Sequence, residues 1–186
     1  MPKIIENIRE NLLTEARHQV MEQGYGAMTI RSVAKACGVG VGTVYNYFAS
    51  KDMLVACFML EDWQQCLQRI KAGCDREDTD ESSNRVSDYE AADHALRCIY
   101  DELKYFMERH MTLFQDENAG VSFATSLPQR HGLLRSQIAE PLLSVCAKQD
   151  KAEPGFLAEF VAESMLTWTL AGRNYEEISS ILLQVF

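Results

Sequence analysis

The sequence predicts an all-α protein in which a three-helix N-terminal head precedes a longer helical domain. Apolar residues recur at steps of three and four along most of the chain, for example over residues 5–20 and 92–113. The glycine-rich turn at residues 38–40 separates two short stretches of this kind. Thr29 and Ser50 stand where the N-caps of helices are expected.

The composition is that of a globular protein, and the charge is distributed unevenly along the chain. The chain has 186 residues, of which 47% are hydrophobic and 24% charged, as in ordinary globular proteins. It contains no long uncharged apolar run, and its first 25 residues carry charges where a signal peptide needs apolar residues, so we expect a cytoplasmic protein. The net charge is −9, but residues 1–52 hold six basic and five acidic side chains, for +1, against −10 in the remainder. An acidic chain argues against nucleic-acid binding, which needs local positive charge, but the N-terminal quarter remains eligible for it.

The head has the pattern of a helix-turn-helix. A first helix ends at Gly24, a second begins after Thr29, and Gly38 supplies a residue that tolerates positive φ where the second helix stops. A third helix follows, with Val44 and Phe48 as its apolar pair four residues apart. In this arrangement the later helix of the pair is presented to the major groove of DNA.

The remaining side chains of the third helix suit DNA. Asparagine can bond bidentately to adenine, valine and threonine methyl groups can contact thymine methyl groups, and tyrosine hydroxyls can reach phosphates. Gly42 permits close backbone approach. The predicted DNA-contacting residues are Thr29, Arg31, Val41, Gly42, Thr43, Tyr45, Asn46, Tyr47 and Lys51.

Two stretches resemble a known signature. "LLTEARHQVMEQGYGAMT" and "TIRSVAKACGVGVGTVYNYFASKDML" are similar to the DNA-binding domain of the tetracycline-repressor (TetR) family of bacterial transcriptional regulators. The resemblance implies phosphate contacts at or near Thr29, Thr43, Tyr47 and Lys51, and base or mixed contacts from Arg31, Val41, Gly42, Tyr45 and Asn46. Positions 40 and 41 are Gly and Val, where many members carry polar or basic residues, so readout there would rest on apolar contact and backbone approach.

We divide the chain into a DNA-binding domain, residues 1–51, and a ligand-binding and dimerisation domain, residues 52–186. A fourth helix is predicted from about residue 51 to 71, with a seam formed by Met53, Ala56, Leu60, Trp63, Leu67 and Ile70. The acidic stretch "CDREDTDESSNRVSD" that follows predicts a solvated loop. A further helix over residues 129–148 is predicted to turn Leu133, Leu134, Ile138, Leu142 and Val145 inward and to bend at Pro141.

The middle of the chain offers candidates for an effector site. The predicted ligand-binding residues are Trp63, Tyr105, Phe106, His110, Phe114 and Phe123, which would suit a hydrophobic or aromatic small molecule. The alternative is that these side chains fill a core, with His110 bonded inside it. His94 and Cys98 lie four residues apart, but no third ligand joins them, so neither a metal nor a cofactor is expected.

The C-terminal helices, residues 156–171 and 175–186, are too apolar for one-sided burial, which predicts a homodimer. The predicted interface residues are Phe160, Met165, Trp168, Ile178, Ile181, Leu182 and Val185. The family resemblance also implies a four-helix dimer bundle.

The sequence thus favours a repressor that a small-molecule effector releases from palindromic operator DNA. No G-x-S-x-G, Walker or H-E-x-x-H motif is present, so an enzyme is not expected. Two alternatives remain: a thiol-redox-responsive regulator, which would need an exposed cysteine of low pKa, and a protein-binding adaptor that has lost operator binding. The six cysteines form no C-x-x-C pair and are expected to be reduced.

Overall fold

The computed structural model describes residues 7–75, 88–115, 127–148 and 153–186, which are helical with short turns and contain no strand. The described helices are α1 (Ile8–Gln23), α2 (Ile30–Ala36), α3 (Val41–Tyr47), α4 (Lys51–Cys74), α5 (Asp88–Gln115), α6 (Leu127–Ala147), α7 (Pro154–Leu170) and α8 (Tyr175–Leu182). The all-α prediction is confirmed. None of these helices has the length and apolar character that a membrane span requires.

The helix boundaries of the head follow from its capping residues. The Thr29 hydroxyl accepts a hydrogen bond from the Ser32 backbone N–H at 3.0 Å, and the Ser32 hydroxyl accepts one from the Thr29 N–H at 3.0 Å, which forms a capping box. Gly38 follows α2 with φ +67°, the left-handed region in which glycine is unstrained. The Ser50 hydroxyl accepts a bond from the Met53 N–H at 3.1 Å. The caps predicted at Thr29 and Ser50 are confirmed.

The chain forms two compact units. The first comprises the described residues within Met1–Trp63 and Arg109–Leu127, and the second those within Gln64–Glu108 and Pro128–Phe186. Helices α4 and α5 each contribute residues to both units. The first unit therefore continues beyond residue 51, because the opening turns of α4 belong to its core.

The core of the first unit joins α1, α2 and α3 to the start of α4. Its largest fully buried side chains are Leu12, Leu13, Met28, Phe48, Leu54, Phe58 and Leu113. The predicted seam of α4 is wrong over its first turns, since Met53 and Leu60 are about half exposed while Leu54, Val55 and Phe58 are buried. The two stripes are adjacent and both apolar, and the periodicity by itself could not choose between them.

The second unit has the predicted stripe along α5, where Ala92, Leu96 and Ile99 are fully buried. On α6, Ile138 and Leu142 are buried and Pro141 lies within the helix, whereas Leu133 is 58% exposed, so its predicted inward position is wrong. The buried stripe of α6 runs beside Leu133, through positions 138, 142 and 145. The predicted acidic loop falls mostly outside the described residues.

Helix α8 is attached to α5 by two tyrosines. The Tyr175 hydroxyl donates to the Asp93 carboxylate at 2.7 Å, and the Tyr100 hydroxyl donates to the Arg173 carbonyl oxygen at 3.2 Å. The two rings meet edge to face with centroids 5.7 Å apart. Both hydroxyls therefore have partners in a largely apolar interior.

Candidate nucleic-acid interface

Helix α3 is anchored by two residues and exposes the rest of its surface. Val44 is fully buried and Phe48, which follows the helix, is 2% exposed. Because these two side chains fix the rotation of α3, the predicted outward residues do lie at the surface. Val41 is 37% exposed, Tyr45 53% and Tyr47 47%. Gly42 and Asn46 are also exposed, and Thr43 is partly buried.

The start of α2 is fixed against α1. The Ser32 hydroxyl donates to the Gln19 side-chain oxygen at 2.6 Å, and Gln19 is itself only 6% exposed. This bond ties the capping box of α2 to α1 and so holds Thr29 and Arg31 in place. Thr29 and Arg31 are both exposed, as a contact with DNA requires.

Lys51 occupies a more enclosed position than the sequence predicted. Its ammonium donates to the backbone carbonyl of Tyr25 and lies 3.9 Å from the centre of the Tyr25 ring. The Tyr25 hydroxyl in turn donates to the Asp52 carboxylate. Lys51 thus joins the turn after α1 to the first turn of α4, and it keeps partial exposure. Its predicted phosphate contact stays a prediction.

A buried charge cluster lies within the first unit. The Asp62 carboxylate, 6% exposed, is 3.0 Å from Arg17 Nη2, 3.4 Å from Arg109 Nε and 3.2 Å from His110 Nε2. Burial acts to raise the pKa of the Asp62 carboxyl, but the bond with His110 and the charges of the two arginines outweigh it and hold the pKa below its ordinary value. The cluster therefore joins α1, α4 and α5 through an ionised carboxylate.

Sequence reasoning missed Asp62 and Arg17. Asp62 follows the buried Phe58 by four residues and precedes the buried Cys66 by four, so it stands on the apolar face of α4. An acidic residue at such a position must find partners, because burial of an unpaired charge is costly. An acidic residue on the apolar face of α4 was therefore the sequence signal that could have predicted a buried charge cluster.

The predicted effector residues are divided between the two units. Trp63 and His110 belong to the first unit and are 6% and 1% exposed. His110 is bonded inside the core, as the alternative interpretation had it, with its ring stacked on Phe58 at 6.2 Å. Tyr105, half exposed beneath the Arg69 guanidinium, and the partly buried Phe106 belong to the second unit. The side chains of Phe114 and Phe123 lie outside the described residues.

The predicted partner surface contains both buried and exposed residues. Met165, Ile178 and Leu182 are almost fully buried within the protomer, so they support the surface from inside. Phe160 and Ile181 are 45% and 54% exposed, and Trp168 and Val185 are partly exposed. Two further apolar residues of α7 are exposed, Phe156 at 71% and Leu170 at 49%.

A pocket of about 260 Å³ opens on this surface of the second unit. It is lined by Trp168, Arg173, Glu177, Ile178 and Ile181. Arg173 and Glu177 approach each other at 3.7 Å across one helical turn. Three of the five lining residues are predicted interface residues, so the pocket belongs to the surface predicted to meet a second copy.

The six cysteines are free thiols, and burial raises the pKa of four of them. Burial raises the pKa of the Cys66 and Cys74 thiols to about 12 and that of Cys146 to about 11. Burial also raises the pKa of Cys37. A redox sensor needs a thiolate at neutral pH, and these four residues do not provide one.

Helices α2 and α3 are short and are joined by a tight turn. Helix α3 is anchored by its buried side and exposes the other, which is the arrangement of the helix-turn-helix class of DNA-binding proteins. Residues 12–56, which reach from α1 into α4, match the family model described as bacterial regulatory proteins, tetR family. The match spans about a quarter of the chain, and it is the head that is similar to that family.

A curated relative is similar over the same part of the chain. The HTH-type transcriptional regulator UidR of Escherichia coli (strain K12) is 30% identical over 63 residues, a match that spans 34% of this chain and 32% of UidR. The match therefore spans about a third of that relative's length. Two solved structures share the fold over nearly the whole chain.

The first is the fatty acid degradation regulator FadR from Bacillus halodurans, with a TM-score of 0.52 and 16% identity over 98% of this chain and 96% of that one. The second is the TetR family repressor AlkX from Dietzia sp. strain DQ12-45-1b, with a TM-score of 0.57 and 14% identity over 95% of this chain and 92% of that one.

Proposed function

We propose that this protein is a dimeric transcriptional repressor that binds a palindromic operator and is released from it by a small-molecule effector. The observation that carries the proposal is the surface of α3. Val44 and Phe48 fix the helix from behind, while Tyr45, Asn46 and Tyr47 stand exposed in front. That arrangement is what a helix entering the major groove requires.

Duplex binding can be tested with two matched tyrosine variants. Tyr47, 47% exposed on α3, and Tyr89, 57% exposed on α5, are similar in chemistry and exposure. After selection of a preferred duplex from a randomised pool, Tyr47→Ala is expected to weaken binding by about five- to a hundredfold, the loss typical of one good contact. Tyr89→Ala should bind like the parent. Equal affinity for all three proteins would contradict a role of α3 in binding.

Dimerisation is proposed to use the exposed apolar surface of α7 and α8. Phe160 and Ile181 are exposed in the protomer, and a carboxylate at either position would be desolvated in an interface. We therefore expect Ile181→Glu to sediment as a monomer and to lose tight operator binding. Leu60→Glu, at an equally exposed leucine of α4, is the control and should stay dimeric. A dimeric Ile181→Glu protein with full operator affinity would refute the assignment.

Two heads on one two-fold axis imply a palindromic operator. Their recognition helices must enter grooves on the same side of the duplex, so the half-sites should lie about 34–36 Å apart or somewhat more. A selected duplex with a single half-site, bound as tightly as the palindrome, would contradict this arrangement.

The effector is proposed to act through α4. This helix begins at Lys51, close after α3 ends at Tyr47, and it carries Trp63 about 18 Å along its axis at about 1.5 Å per residue. A ligand beside Trp63 could thus change the position of a recognition helix. Because coupling is reciprocal, operator DNA must weaken effector binding by the factor by which effector weakens operator binding.

The test is quenching of tryptophan fluorescence by hydrophobic and aromatic compounds. The chain has two tryptophans, so the Trp168→Phe protein reports Trp63 alone. A compound that quenches Trp63 is then titrated against free protein and against the protein–operator complex. Identical affinities in the two titrations would exclude coupling through α4. Release of the operator by peroxide, in contrast, would favour the thiol-redox alternative.

A further inference from the structure

Two glycines stand at the start of the recognition helix, and the fold does not require the second, Gly42. Gly40 has φ −74°, and a Cβ built on it would meet Thr43 Oγ1 at 3.8 Å, an ordinary contact. A Cβ built on Gly42 would have no described atom within 4 Å, and its φ is not positive. Since glycine is less stable within a helix than alanine, Gly42 gives up stability without any gain in packing, whereas Gly40 is the N-cap of α3, where glycine is preferred to alanine.

The two glycines flank one apolar side chain. Val41 lies between them, 37% exposed, at the first position of α3. In a helix-turn-helix the N-terminal residues of the second helix contact the base edges. Without a Cβ at positions 40 and 42, the backbone can come close to the floor of the groove and bring Val41 with it. The apolar group that the major groove offers there is the thymine 5-methyl.

The other side chains of α3 also favour contact with A·T pairs. The seven residues of α3 include no charged side chain. Guanine is read most often by arginine or lysine, and cytosine by aspartate or glutamate, so α3 lacks these partners for a G·C pair. Asn46 is exposed and can bond bidentately to adenine. Both bases of an A·T pair thus have a partner on α3.

The cations of the head lie on other elements. Arg31 is exposed on α2, and Lys51 is engaged with Tyr25 at the start of α4. The first helix of a helix-turn-helix crosses the DNA backbone while the second contacts the base edges, so the bases beneath α3 are read by the side chains of α3. Taking the proposed operator binding as its basis, we infer that each half-site presents A·T pairs to α3, with a thymine methyl against Val41 and an adenine bonded to Asn46.

The role of the glycines is tested by a pair of alanine variants. Gly42→Ala and Gly132→Ala both place a methyl group in open space on a helix, so both should keep or raise the thermal midpoint. Gly42→Ala should nevertheless lose operator affinity by about tenfold or more, because the methyl overlaps the base edge. Gly132→Ala, on α6, should bind like the parent. Unchanged operator affinity of a folded Gly42→Ala protein would overturn the inference.

The base preference is tested by selection with full-length protein on a duplex pool of randomised sequence. The Asn46→Ala protein should lose its base preference at one operator position, and that position is the base pair that Asn46 contacts. In the duplexes selected by the parent protein, this pair should be A·T. Replacing the neighbouring thymine by deoxyuridine removes one methyl group and should weaken binding about fourfold. In Val41→Ala the same replacement should have little effect.

The outcomes separate the inference from the proposed function. Enrichment of a palindrome with G·C at the position that Asn46 reads would overturn the inference and leave operator binding intact. Equal affinity for thymine and deoxyuridine duplexes would likewise remove the role of Val41. A pool with no enriched sequence would overturn both the inference and the proposed function.

Discussion

Replacing Asp62 by asparagine should destabilise the first unit more than any other change of one carboxylate in the described part of α4. The substitution keeps the shape of the side chain but removes the charge that Arg17 and Arg109 share. Loss of one partner from a buried ion pair costs about 3–5 kcal/mol. The two arginine side chains are 16% and 28% exposed, and partial hydration reduces the cost. We therefore expect a loss of about 2–3 kcal/mol in the free energy of unfolding.

The assay is thermal unfolding at fixed protein concentration, since dimerisation would otherwise shift the midpoint. For a chain of this size the loss corresponds to a midpoint lower by about 4–12 °C. Glu61→Gln is the matched control on the adjacent residue. Glu61 is 35% exposed and pairs with Arg9 at 2.9 Å and with Arg17 at 3.6 Å, and Arg17 keeps its closer contact with Asp62 in this variant, so the effect should stay below about 1 kcal/mol. An Asp62→Asn protein no less stable than Glu61→Gln would refute the reasoning.

The same carboxylate fixes a pH dependence. The pKa of Asp62 is lower in the folded state than in the unfolded state, so the unfolded state binds more protons at acidic pH. The stabilisation of the folded state by ionised Asp62 is therefore fully present above about pH 4, the pKa in the unfolded chain. It is lost as the pH falls through the lower folded pKa. The contribution of Asp62 to the difference between parent and Asp62→Asn should therefore shrink below about pH 4, as urea titrations over that range would show. A difference that grows on acidification would contradict the lowered pKa.

Three further outcomes are expected. Lys51→Ala should weaken binding to all duplexes about equally and reduce the slope of log K against log salt by about one per head, and an unchanged slope would remove Lys51 as a phosphate contact. Gly38→Ala should lower the unfolding free energy by about 1–2 kcal/mol, because φ is +67° there, whereas Gly132→Ala should not lower it. Thiol reagents at pH 7 should modify Cys66, Cys74 and Cys146 about a hundredfold more slowly in the folded protein than in denaturant, and rapid modification would revive the redox alternative.

The head could be predicted closely because its signals are local. Capping depends on residues three apart, as with Thr29 and Ser32, and the stop at Gly38 depends on one backbone angle. The burial of Val44 and Phe48 follows from a helix so short that one apolar pair decides its rotation. Such features need no knowledge of the rest of the chain.

The buried face of α4 could not be predicted in the same way, because tertiary packing decides which of its apolar stripes is buried. Two neighbouring stripes of α4 are apolar, and the one through Leu54 and Phe58 is buried because the core of the first unit lies on that side. The partners of Asp62 were hidden for a related reason. Arg17 and His110 are distant along the chain, and periodicity gives the face of a helix without naming what it meets.

The placement of charge is compatible with the proposed binding of DNA by an acidic chain. Arg9 and Arg17 are paired with Glu61 and Asp62, so two cations of α1 are engaged in holding α4. Arg31 and Lys35 remain exposed on α2, and the recognition helix that follows has no charge of its own.

A protein with few cations at its interface and a net charge of −9 gains little from counterion release on arbitrary DNA. In the proposed complex its affinity must then come mostly from neutral contacts of the head, and those of Val41 and Asn46 depend on the base sequence. Weak non-specific binding raises the ratio of specific to non-specific affinity, and that ratio decides how well a regulator finds one operator among many competing sites. The acidic composition, which by itself argues against nucleic acid, thus fits a regulator that depends on base contacts.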